Sequence, residues 1–473
     1  MNTISLSEKD YCLSFIFNNP ELTKKELLSY GFSISDARKL LSERSSSGGK
    51  IYSFDEFNEL INIPEKELSK ILKKIIKERK IVFKYECQVW KSWEQKPVVI
   101  LIHGHGLSKK CWIDPYNEKI QDCNIKFKNL LTDYRHSPKE KDAGLNETPP
   151  QSAFLQFGLS KPLEYLELPP QSLWDFLKIN GYNLITWSQK YPNQNIEKAI
   201  DELSKYVIPT AKKLFDTDKF IIIGHGRGGL VGRKYIEVHQ KIRKNISGLI
   251  MLGTPNQGTN ISIFNKELAL LFSSLCIFID EEAPLSSICS TILTGVPDKE
   301  EINMTLVDEA IEKQALMIKS IKVFFNEMRI FLNSDALQEL FQTSKFIQNL
   351  KEEKSPGVYY ASIYGSETTF TKMYLWYYKP TSFISHKNKH FQWWIKPKEI
   401  AKILDILEKL FPLILIPQEF IKGKGDGLVS VDSARWHLSD ENHLLHLNHL
   451  DLLLNYSVKE KIIKILEKIS TSC

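Results

Sequence analysis

Residues 219–233 read KFIIIGHGRGGLVGR, and this stretch decides the fold. Its apolar run FIII is typical of a buried strand in a parallel sheet, because such strands are covered on both faces. Closely spaced glycines follow, and glycine lets a chain turn sharply and lets backbones approach each other closely. The stretch therefore predicts a strand, a tight turn and a helix in direct succession.

The turn has the spacing of the Gly-x-Ser-x-Gly motif, which places a nucleophilic serine between a buried strand and a helix. Gly224, His225, Arg227 and Gly228 occupy their expected positions, but the nucleophile position holds Gly226. Glycine has no side-chain oxygen with which to attack a carbonyl. The sequence thus indicates the scaffold of an acyl hydrolase and leaves open whether the chain catalyses a reaction.

Length and composition are typical of a globular protein with roughly two or three domains. The 473 residues include 42% hydrophobic and 25% charged residues, and the net charge of +6 does not by itself argue for nucleic acid. Seven scattered cysteines without a Cys-x-x-Cys pair favour a reducing compartment. The sequence shows no signal peptide and no uncharged apolar run of about 18 residues, so we expect a cytoplasmic protein.

Residues 1–85 are predicted to form a separate helical domain that contains a near-repeat. Its two units are ELTKKELLSYGFSISDARKLLSER (21–44) and SFDEFNELINIPEKELSKILKKI (53–75), and each indicates a helix, a tight turn and a second helix. The pair resembles the tandem helix-hairpin-helix domain found in many DNA-associated proteins. We expect residues 1–80 to form a separate all-helical unit that makes few contacts with the sheet.

The hairpin turns differ from those that contact DNA in that family. There, a Gly-hydrophobic-Gly turn offers backbone N–H groups to a phosphate, whereas the turns here read GFS (31–33) and NIP (62–64). The second turn has no glycine, and its proline has no N–H to donate. Lysines near the second turn fit either phosphate contacts or a solvated helix face, and they stand at positions 66, 70, 73, 74, 77 and 80.

Residues 96–473 show an α/β pattern. Near-continuous apolar runs alternate with helical stretches, which predicts a doubly wound and mostly parallel sheet. Residues 81–95 indicate a linker or an edge strand. The predicted strands are VVILIHG (98–104), YNLITW (182–187), FIIIGHG (220–226), SGLIMLGTP (247–255) and VYYASIYG (358–365).

Three long insertions interrupt this α/β domain, at 108–170, 260–355 and 366–398. The second is mostly helical by pattern, and the third is rich in aromatic residues. Because the second and third leave the core beside the strand ends where ligands bind, we expect them to cap the pocket and to enclose an apolar cavity. The aromatic stretch fits either the core of this cap or a surface for peripheral contact with a membrane or lipid droplet.

Acyl transfer through a serine also needs a histidine base and a carboxylate that orients it. In α/β hydrolases the acid and then the histidine follow the nucleophile along the chain. Asp426 lies in a Gly-Asp-Gly loop, and His449 follows the strand-like run 443–447. We predict that Gly226, Asp426 and His449 share one pocket at the carboxyl ends of the strands.

Five segments together resemble the lipase branch of the α/β hydrolases, and bacterial triacylglycerol lipases in particular. They are His103-Gly104, GHGRGG (224–229), LGTPNQGT (252–259), GDGLVSVDSA (425–434) and NHLDLL (448–453). The resemblance covers the sheet core and not the insertions. It implies an α/β-hydrolase fold, a lipase or esterase activity and an acyl ester or lipid ligand.

The same resemblance implies roles for individual residues. Asp426 corresponds to the acid and His449 to the base, while the backbone N–H groups of His105 and Arg227 correspond to the oxyanion donors. Some members bind calcium through the aspartate two residues after the catalytic histidine, which is Asp451 here. The residues that support the site are His103, Gly104, Gly224 and Gly228.

Gly226 is compatible with three interpretations. The chain is a pseudo-hydrolase that binds an acyl or lipid ligand without turnover. Alternatively it hydrolyses by another route, with His449 activating a water or with Ser188 approaching the pocket. In the third interpretation the serine was lost in one lineage, or by engineering, from an ordinary enzyme. A different class is a scaffold whose N-terminal helical domain holds nucleic acid or a partner protein, and the oligomeric state stays open.

We expect weak or no binding of duplex DNA by residues 1–85 at physiological salt, because the NIP turn lacks the paired N–H donors of a phosphate-binding turn. A mobility-shift titration at several salt concentrations measures this affinity. Tight binding at physiological salt would contradict the prediction.

Overall fold

The structure is a computed structural model that describes residues 4–46, 50–61, 63–115, 118, 171–239, 245–260, 334–368, 418–421 and 423–471. Within these residues, seven strands form one sheet. The strands are β1 Gln88–Trp90, β2 Val98–Ile102, β3 Asn183–Thr186, β4 Phe220–His225, β5 Ile246–Leu252, β6 Tyr359–Gly365 and β7 Glu441–Leu445.

The sheet has the strand order β1-β3-β2-β4-β5-β6-β7. β1 pairs antiparallel with β3 at one edge, and every other pairing is parallel. β2 and β4 are buried at every residue, which explains why they appear in the sequence as continuous apolar runs. The predicted fold class, an α/β doubly wound and mostly parallel sheet of the α/β-hydrolase type, is confirmed.

All five strands predicted from the sequence are present, and their ends differ from the prediction by no more than three residues. The largest difference is at β5, which ends before the predicted GTP segment because the chain turns there at Gly253 with a φ of 56°. The segment predicted as a linker or edge strand contains β1, an antiparallel edge strand. Since the other strands run parallel, their carboxyl ends meet at one edge of the sheet, where the loops that carry the candidate residues begin.

Helices flank the sheet and connect its strands. No helix within the described residues is long and apolar enough to cross a membrane. Two π-helical turns, Cys12–Phe17 and Leu203–Val207, extend α1 and join α8 to α9. The helices are α1 Leu6–Tyr11, α2 Lys24–Tyr30, α3 Ile34–Ser46, α4 Phe54–Ile61, α5 Glu65–Arg79, α6 Lys110–Ile113, α7 Leu173–Ile179, α8 Ile196–Glu202, α9 Ile208–Phe215, α10 Arg227–Val238, α11 Asp335–Gln338, α12 Lys345–Gln348, α13 Val431–Ala434 and α14 Tyr456–Thr471.

The near-repeat of the N-terminal sequence folds as two helix pairs, α2–α3 and α4–α5. α2 begins at a capping box formed by Thr23 and Glu26, and it ends at Gly31, whose φ of 111° favours glycine. Pro64 precedes α5, where a missing N–H does no harm. Both units are therefore helix–turn–helix pairs, and the more specific resemblance to helix-hairpin-helix domains stays a prediction.

The expectation that residues 1–80 make few contacts with the sheet is wrong. Apolar side chains of this region and of the sheet form one continuous hydrophobic core. Phe15 packs on Phe215 with ring centroids 5.4 Å apart, and Tyr52 stacks on Trp90 of β1 at 6.2 Å. The helices cover apolar surface at the β1 edge that water would otherwise contact, and this burial is favourable.

Polar groups also cross this contact. The Trp93 indole donates a hydrogen bond to the backbone oxygen of Ser14 (2.7 Å). The buried ammonium of Lys109 donates to the backbone oxygen of Glu86 (2.6 Å) and to the Ser7 hydroxyl (3.3 Å). Burial lowers the pKa of Lys109. A buried cation needs such acceptors, so these bonds fix how α1 approaches the segment before β1.

The three predicted insertions fall largely outside the described residues. The described parts are 108–115 and 118 of the first, 260 and 334–355 of the second, and 366–368 of the third. They contain α6, α11 and α12. The predicted cap, its apolar cavity and the aromatic stretch therefore stay predictions.

Replacing Trp90 by alanine should lower the free energy of unfolding by about 3–5 kcal/mol, because it empties a site that is 1% exposed in the shared core. A shared core also predicts one unfolding transition, which tryptophan fluorescence and helical circular dichroism should both follow. Chemical denaturation monitored by both signals measures the shift.

The control for this variant is Val82→Ala, at a side chain that is 73% exposed. It should change the free energy of unfolding by less than about 0.5 kcal/mol. Two separate transitions, of which Trp90→Ala shifts one, would show that the helical region folds independently of the sheet.

Candidate active site

β4 and α10 join at Gly226, which adopts a φ of 51° and a ψ of −120°. Its N–H donates to the backbone oxygen of Leu252 (2.8 Å), and its carbonyl accepts from the N–H of Gly229 (3.1 Å). Holding a residue with a Cβ in such a backbone conformation costs about 1–3 kcal/mol. Glycine avoids this strain. The backbone is thus held in the conformation of a sharp strand-to-helix turn even though residue 226 has no side chain.

Two further glycines make the turn possible. A Cβ at Gly224 would lie 2.4 Å from the backbone nitrogen of Gly229, and one at Gly228 would lie 2.2 Å from the backbone oxygen of Ile102. Both distances are far below van der Waals contact, so a side chain at either position would push these backbone segments apart. β2, β4 and α10 therefore meet in direct backbone contact under residue 226.

Asp426 and His449 lie together beside this turn. His449 Nδ1 is 2.8 Å from Asp426 Oδ2. The other carboxylate oxygen accepts the N–H groups of Leu428 (3.0 Å) and Val429 (2.7 Å). Asp426 is 0% and His449 5% exposed, so these bonds satisfy a carboxylate that is out of reach of bulk water.

The other ring nitrogen of His449 faces residue 226. A Cβ at Gly226 would lie 3.0 Å from His449 Nε2 and 3.5 Å from its Cε1. A carboxylate accepts hydrogen bonds, so Nδ1 donates to Asp426 and Nε2 presents its lone pair towards the place of a nucleophile. The structure brings Gly226, Asp426 and His449 together, and their catalytic roles stay predictions.

His225 lies against His449, with ring centroids 4.5 Å apart. Its Nε2–H donates to the backbone oxygen of His449 (3.0 Å). Burial, followed by the neighbouring His449, lowers the pKa of His225 well below its usual range. His225 is therefore neutral near pH 7 and places no positive charge beside the His449 ring.

The loop after β2 carries His103, Gly104 and His105. His103 Nδ1–H donates to the backbone oxygen of Gly104 (2.9 Å), and its Nε2 accepts the backbone N–H of Gln189 (2.9 Å). These partners define a neutral ring with the proton on Nδ1. Burial is the largest cause that lowers the pKa of His103 to about 4. His103 is thus a structural hydrogen-bonding residue and does not carry a proton near pH 7.

His105 is half-buried, and its Nε2 lies 2.9 Å from the hydroxyl of Ser334. Ser334 directly precedes α11, so the described end of the second insertion reaches the loop after β2. This contact was not predictable from the sequence, because no local pattern links positions so far apart along the chain.

Arg227 is the first residue of α10, and its side chain is 1% exposed. Its Nη1 donates to Gln189 Oε1 (3.0 Å), and its Nη2 donates to the backbone oxygen of Gln194 (2.6 Å). Burial lowers the pKa of Arg227 to about 10, against the opposing effect of Glu339 and Glu202. The guanidinium is thus held inside the protein by the segment that follows β3.

Asp451 begins the 3₁₀ turn Asp451–Leu453, and its N–H donates to Asn448 Oδ1 (2.8 Å). Calcium takes about six to eight oxygen ligands. In the part of the chain that the structure describes, no group of three or more histidine, cysteine, aspartate or glutamate side chains is placed to hold a metal. The role of Asp451 as a calcium ligand stays a prediction, and the chemistry proposed below uses no metal.

Gln189 is the residue at this site that the sequence did not single out. It follows β3, and it contacts both His103 and Arg227. Ser188, which one of the alternative interpretations brought to the pocket, is directed elsewhere, because its hydroxyl donates to Glu86 Oε2 (3.1 Å) on the segment before β1. Successive side chains of extended chain point to opposite sides, so a difference of one residue decides which side chain reaches the site.

Comparison with known proteins bears on this site. Residues 188–310 match the family described as the PGAP1-like alpha/beta domain, and this segment contains the turn at Gly226. A comparison with curated proteins gave no match.

A comparison with solved structures found matches of low sequence identity. The mature form of Bacillus licheniformis lipase BlEst2 is 11% identical, with 78% of this chain and 92% of that chain covered and a TM-score of 0.38. A structure from a study of carboxylesterases of Nitrososphaera gargenis is 10% identical, with 82% and 95% covered and a TM-score of 0.32. A thermostable carboxyl esterase from Bacillus coagulans is 9% identical, with 81% and 93% covered and a TM-score of 0.30.

Three observations support membership of this chain in the α/β-hydrolase superfamily. They are the strand order, the sharp turn at Gly226 and the match to the PGAP1-like alpha/beta domain. The lipase and esterase activities named for the matched structures are properties of those proteins.

Replacing His103 by asparagine should make the free energy of unfolding less dependent on pH between 7 and 5. The ordinary pKa of histidine is 6.5, and in the folded chain that of His103 is about 4, so below pH 6.5 the unfolded chain binds a proton that the folded chain does not. The stability that the neutral ring provides is present above pH 6.5 and is lost as the pH falls towards 4, with about 2 kcal/mol lost by pH 5.

Urea denaturation of both proteins at pH 7 and pH 5 measures this change. The gap in stability between the unmodified chain and His103→Asn should narrow at pH 5. His225, whose pKa is also lowered, is present in both proteins, so the difference reports on His103. An equal gap at both pH values would contradict the prediction.

Proposed function

We propose that the chain is a lipase-like or carboxylesterase-like α/β hydrolase that binds acyl esters and, with glycine at residue 226, turns them over slowly or not at all. The acyl group lies beside Gly226 and His449. Asp426 orients His449, and the backbone N–H groups of His105 and Arg227 stabilise the negative charge that develops on the carbonyl oxygen. The ligand is an acyl ester or a lipid.

The observation that carries this proposal is the orientation of His449. Its Nδ1 is 2.8 Å from the buried Asp426 carboxylate, and its Nε2 lies 3.0 Å from where a Cβ of residue 226 would stand. A histidine held in this way and directed at a sharp strand-to-helix turn is the arrangement that activates a serine hydroxyl. The missing part of that arrangement is the hydroxyl itself.

Without the hydroxyl, a water beside His449 Nε2 is the remaining route to hydrolysis. In this route the water gives a proton to Nε2 while its oxygen attacks the ester carbonyl carbon. The tetrahedral species then breaks its bond to the alcohol oxygen, which takes the proton from His449. Oxyanion stabilisation and binding alone retain about 10³–10⁴-fold acceleration over the reaction in water, so turnover is slow.

Gly226→Ser should restore measurable hydrolysis of p-nitrophenyl esters, because it supplies the nucleophile opposite an intact histidine and aspartate. We expect kcat to rise by at least about 100-fold over the unmodified chain, since loss of a serine nucleophile costs several orders of magnitude. The variant should also be less stable by about 1–3 kcal/mol, because residue 226 keeps a positive φ. Hydrolysis rates with short-chain and long-chain p-nitrophenyl esters measure the change in kcat. Urea denaturation measures the change in stability.

Gly226→Ala is the matched control, because it adds the same Cβ and the same backbone strain without an oxygen. It should lose stability as the serine variant does and remain inactive. Adding His449→Ala to Gly226→Ser should abolish the restored activity.

Two results would overturn parts of the proposal. A folded but inactive Gly226→Ser protein would show that the rest of the site no longer supports catalysis, which leaves ligand binding. Activity of the unmodified chain that survives His449→Ala would place the chemistry elsewhere.

A further inference from the structure

We propose that Gln189 is a positioning residue that holds the two halves of the oxyanion site in register. The inference rests on the proposed acyl-ester site. One half is the loop that runs from His103 to His105, and the other is the start of α10 at Arg227. Gln189 belongs to a third segment, after β3, and it contacts both halves.

The contact with the loop consists of two hydrogen bonds to one residue. The backbone N–H of Gln189 donates to His103 Nε2 (2.9 Å), and its side-chain Nε2 donates to the His103 backbone oxygen (3.2 Å). His103 in turn donates to the backbone oxygen of Gly104 (2.9 Å). These bonds fix the peptides that lead to the backbone N–H of His105, the first oxyanion donor.

The contact with α10 uses the opposite end of the same side chain. Arg227 Nη1 donates to Gln189 Oε1 (3.0 Å), and Arg227 Nη2 donates to the Gln194 backbone oxygen (2.6 Å). A guanidinium donates and a backbone carbonyl accepts, so the orientation of the Gln189 amide is determined by its partners. Arg227 also supplies the second oxyanion donor from its own backbone.

Burial makes these bonds difficult to replace. Gln189 is 3% and Arg227 1% exposed, so bulk water does not take the place of a lost partner. The site also requires an amide. A carboxylate at residue 189 would still accept from Arg227, but it would set an oxygen against the His103 carbonyl, whereas an apolar side chain would leave both partners without their bond.

The experiment compares variants in the Gly226→Ser background. Gln189→Ala should lower kcat by about tenfold or more with KM changed by less than about threefold, because misplaced oxyanion donors affect the transition state more than substrate binding. Lys190→Ala is the control, since it removes an exposed side chain from the same segment and should leave both constants unchanged.

Gln189→Glu separates positioning from stability. The carboxylate keeps an acceptor for Arg227, so its midpoint of thermal unfolding should lie closer to that of the parent than the midpoint of Gln189→Ala does. Its kcat should stay as low as that of Gln189→Ala, because the bond to the His103 oxygen is still missing. A kcat that recovers together with the midpoint, or a kcat of Gln189→Ala equal to that of Lys190→Ala, would overturn the inference.

A further measurement applies to the chain without any activity. Hydrogen exchange of the backbone amides at 104–107 should be faster in Gln189→Ala than in Lys190→Ala, both with glycine at 226. If Gly226→Ser is inactive, the proposed catalytic function fails, and this comparison decides the inference alone. Equal exchange in the two variants would refute the positioning role.

Discussion

Direct backbone contact between β2, β4 and α10 is the constraint on which the candidate site depends. Any side chain at Gly228 would meet the Ile102 backbone oxygen at 2.2 Å, so α10 can start this close to the sheet because glycine stands there. Directly before this close start of the helix, Gly226 adopts a positive φ of 51°. Residue 226 lies at the carboxyl edge of the sheet, buried opposite His449.

Around this backbone contact, several buried polar groups of the site form hydrogen bonds with one another. Asp426 receives hydrogen bonds from His449 and from two backbone N–H groups, and His103 is satisfied at both ring nitrogens. Arg227 introduces a positive charge, and its hydrogen bonds are accepted by the Gln189 side chain and by a backbone carbonyl. Networks of this kind specify one arrangement, because each group that loses its partner while buried is costly. Substitutions at their edges should therefore change geometry as well as stability.

The sequence predicted the parts of this protein that depend on local patterns. Buried strands appear as apolar runs and the sharp turn appears as glycine spacing, so five strands of the sheet were predictable to within three residues at their ends. Asp426 and His449 were found through chain order and their place after strand-like segments, and the structure brings them together with Gly226. Gln189 was missed, because its importance comes from two partners, His103 and Arg227, that are remote in sequence.

The packing of the N-terminal helices was not predictable for a related reason. A near-repeat with its own apolar stripes is typical of an independent unit, and no pattern in residues 1–85 shows that part of their apolar surface faces β1. From the sequence alone, Phe15 and Tyr52 fit a small separate core of the helical region as well as they fit a core shared with the sheet. The structure shows that they contact Phe215 and Trp90, which lie outside the repeat.

This shared core has a consequence for the order in which the chain folds during synthesis. The helices of residues 1–80 leave the ribosome before the sheet does, but Phe15 and Tyr52 find their partners only after α9 and β1 have been made. β1 in turn pairs with β3, which begins at Asn183. About 100 residues after β1 must therefore be synthesised before the edge of the sheet on which these helices pack is complete. Until then they expose apolar side chains, and a nascent chain in that state is a natural client for chaperones that bind hydrophobic segments.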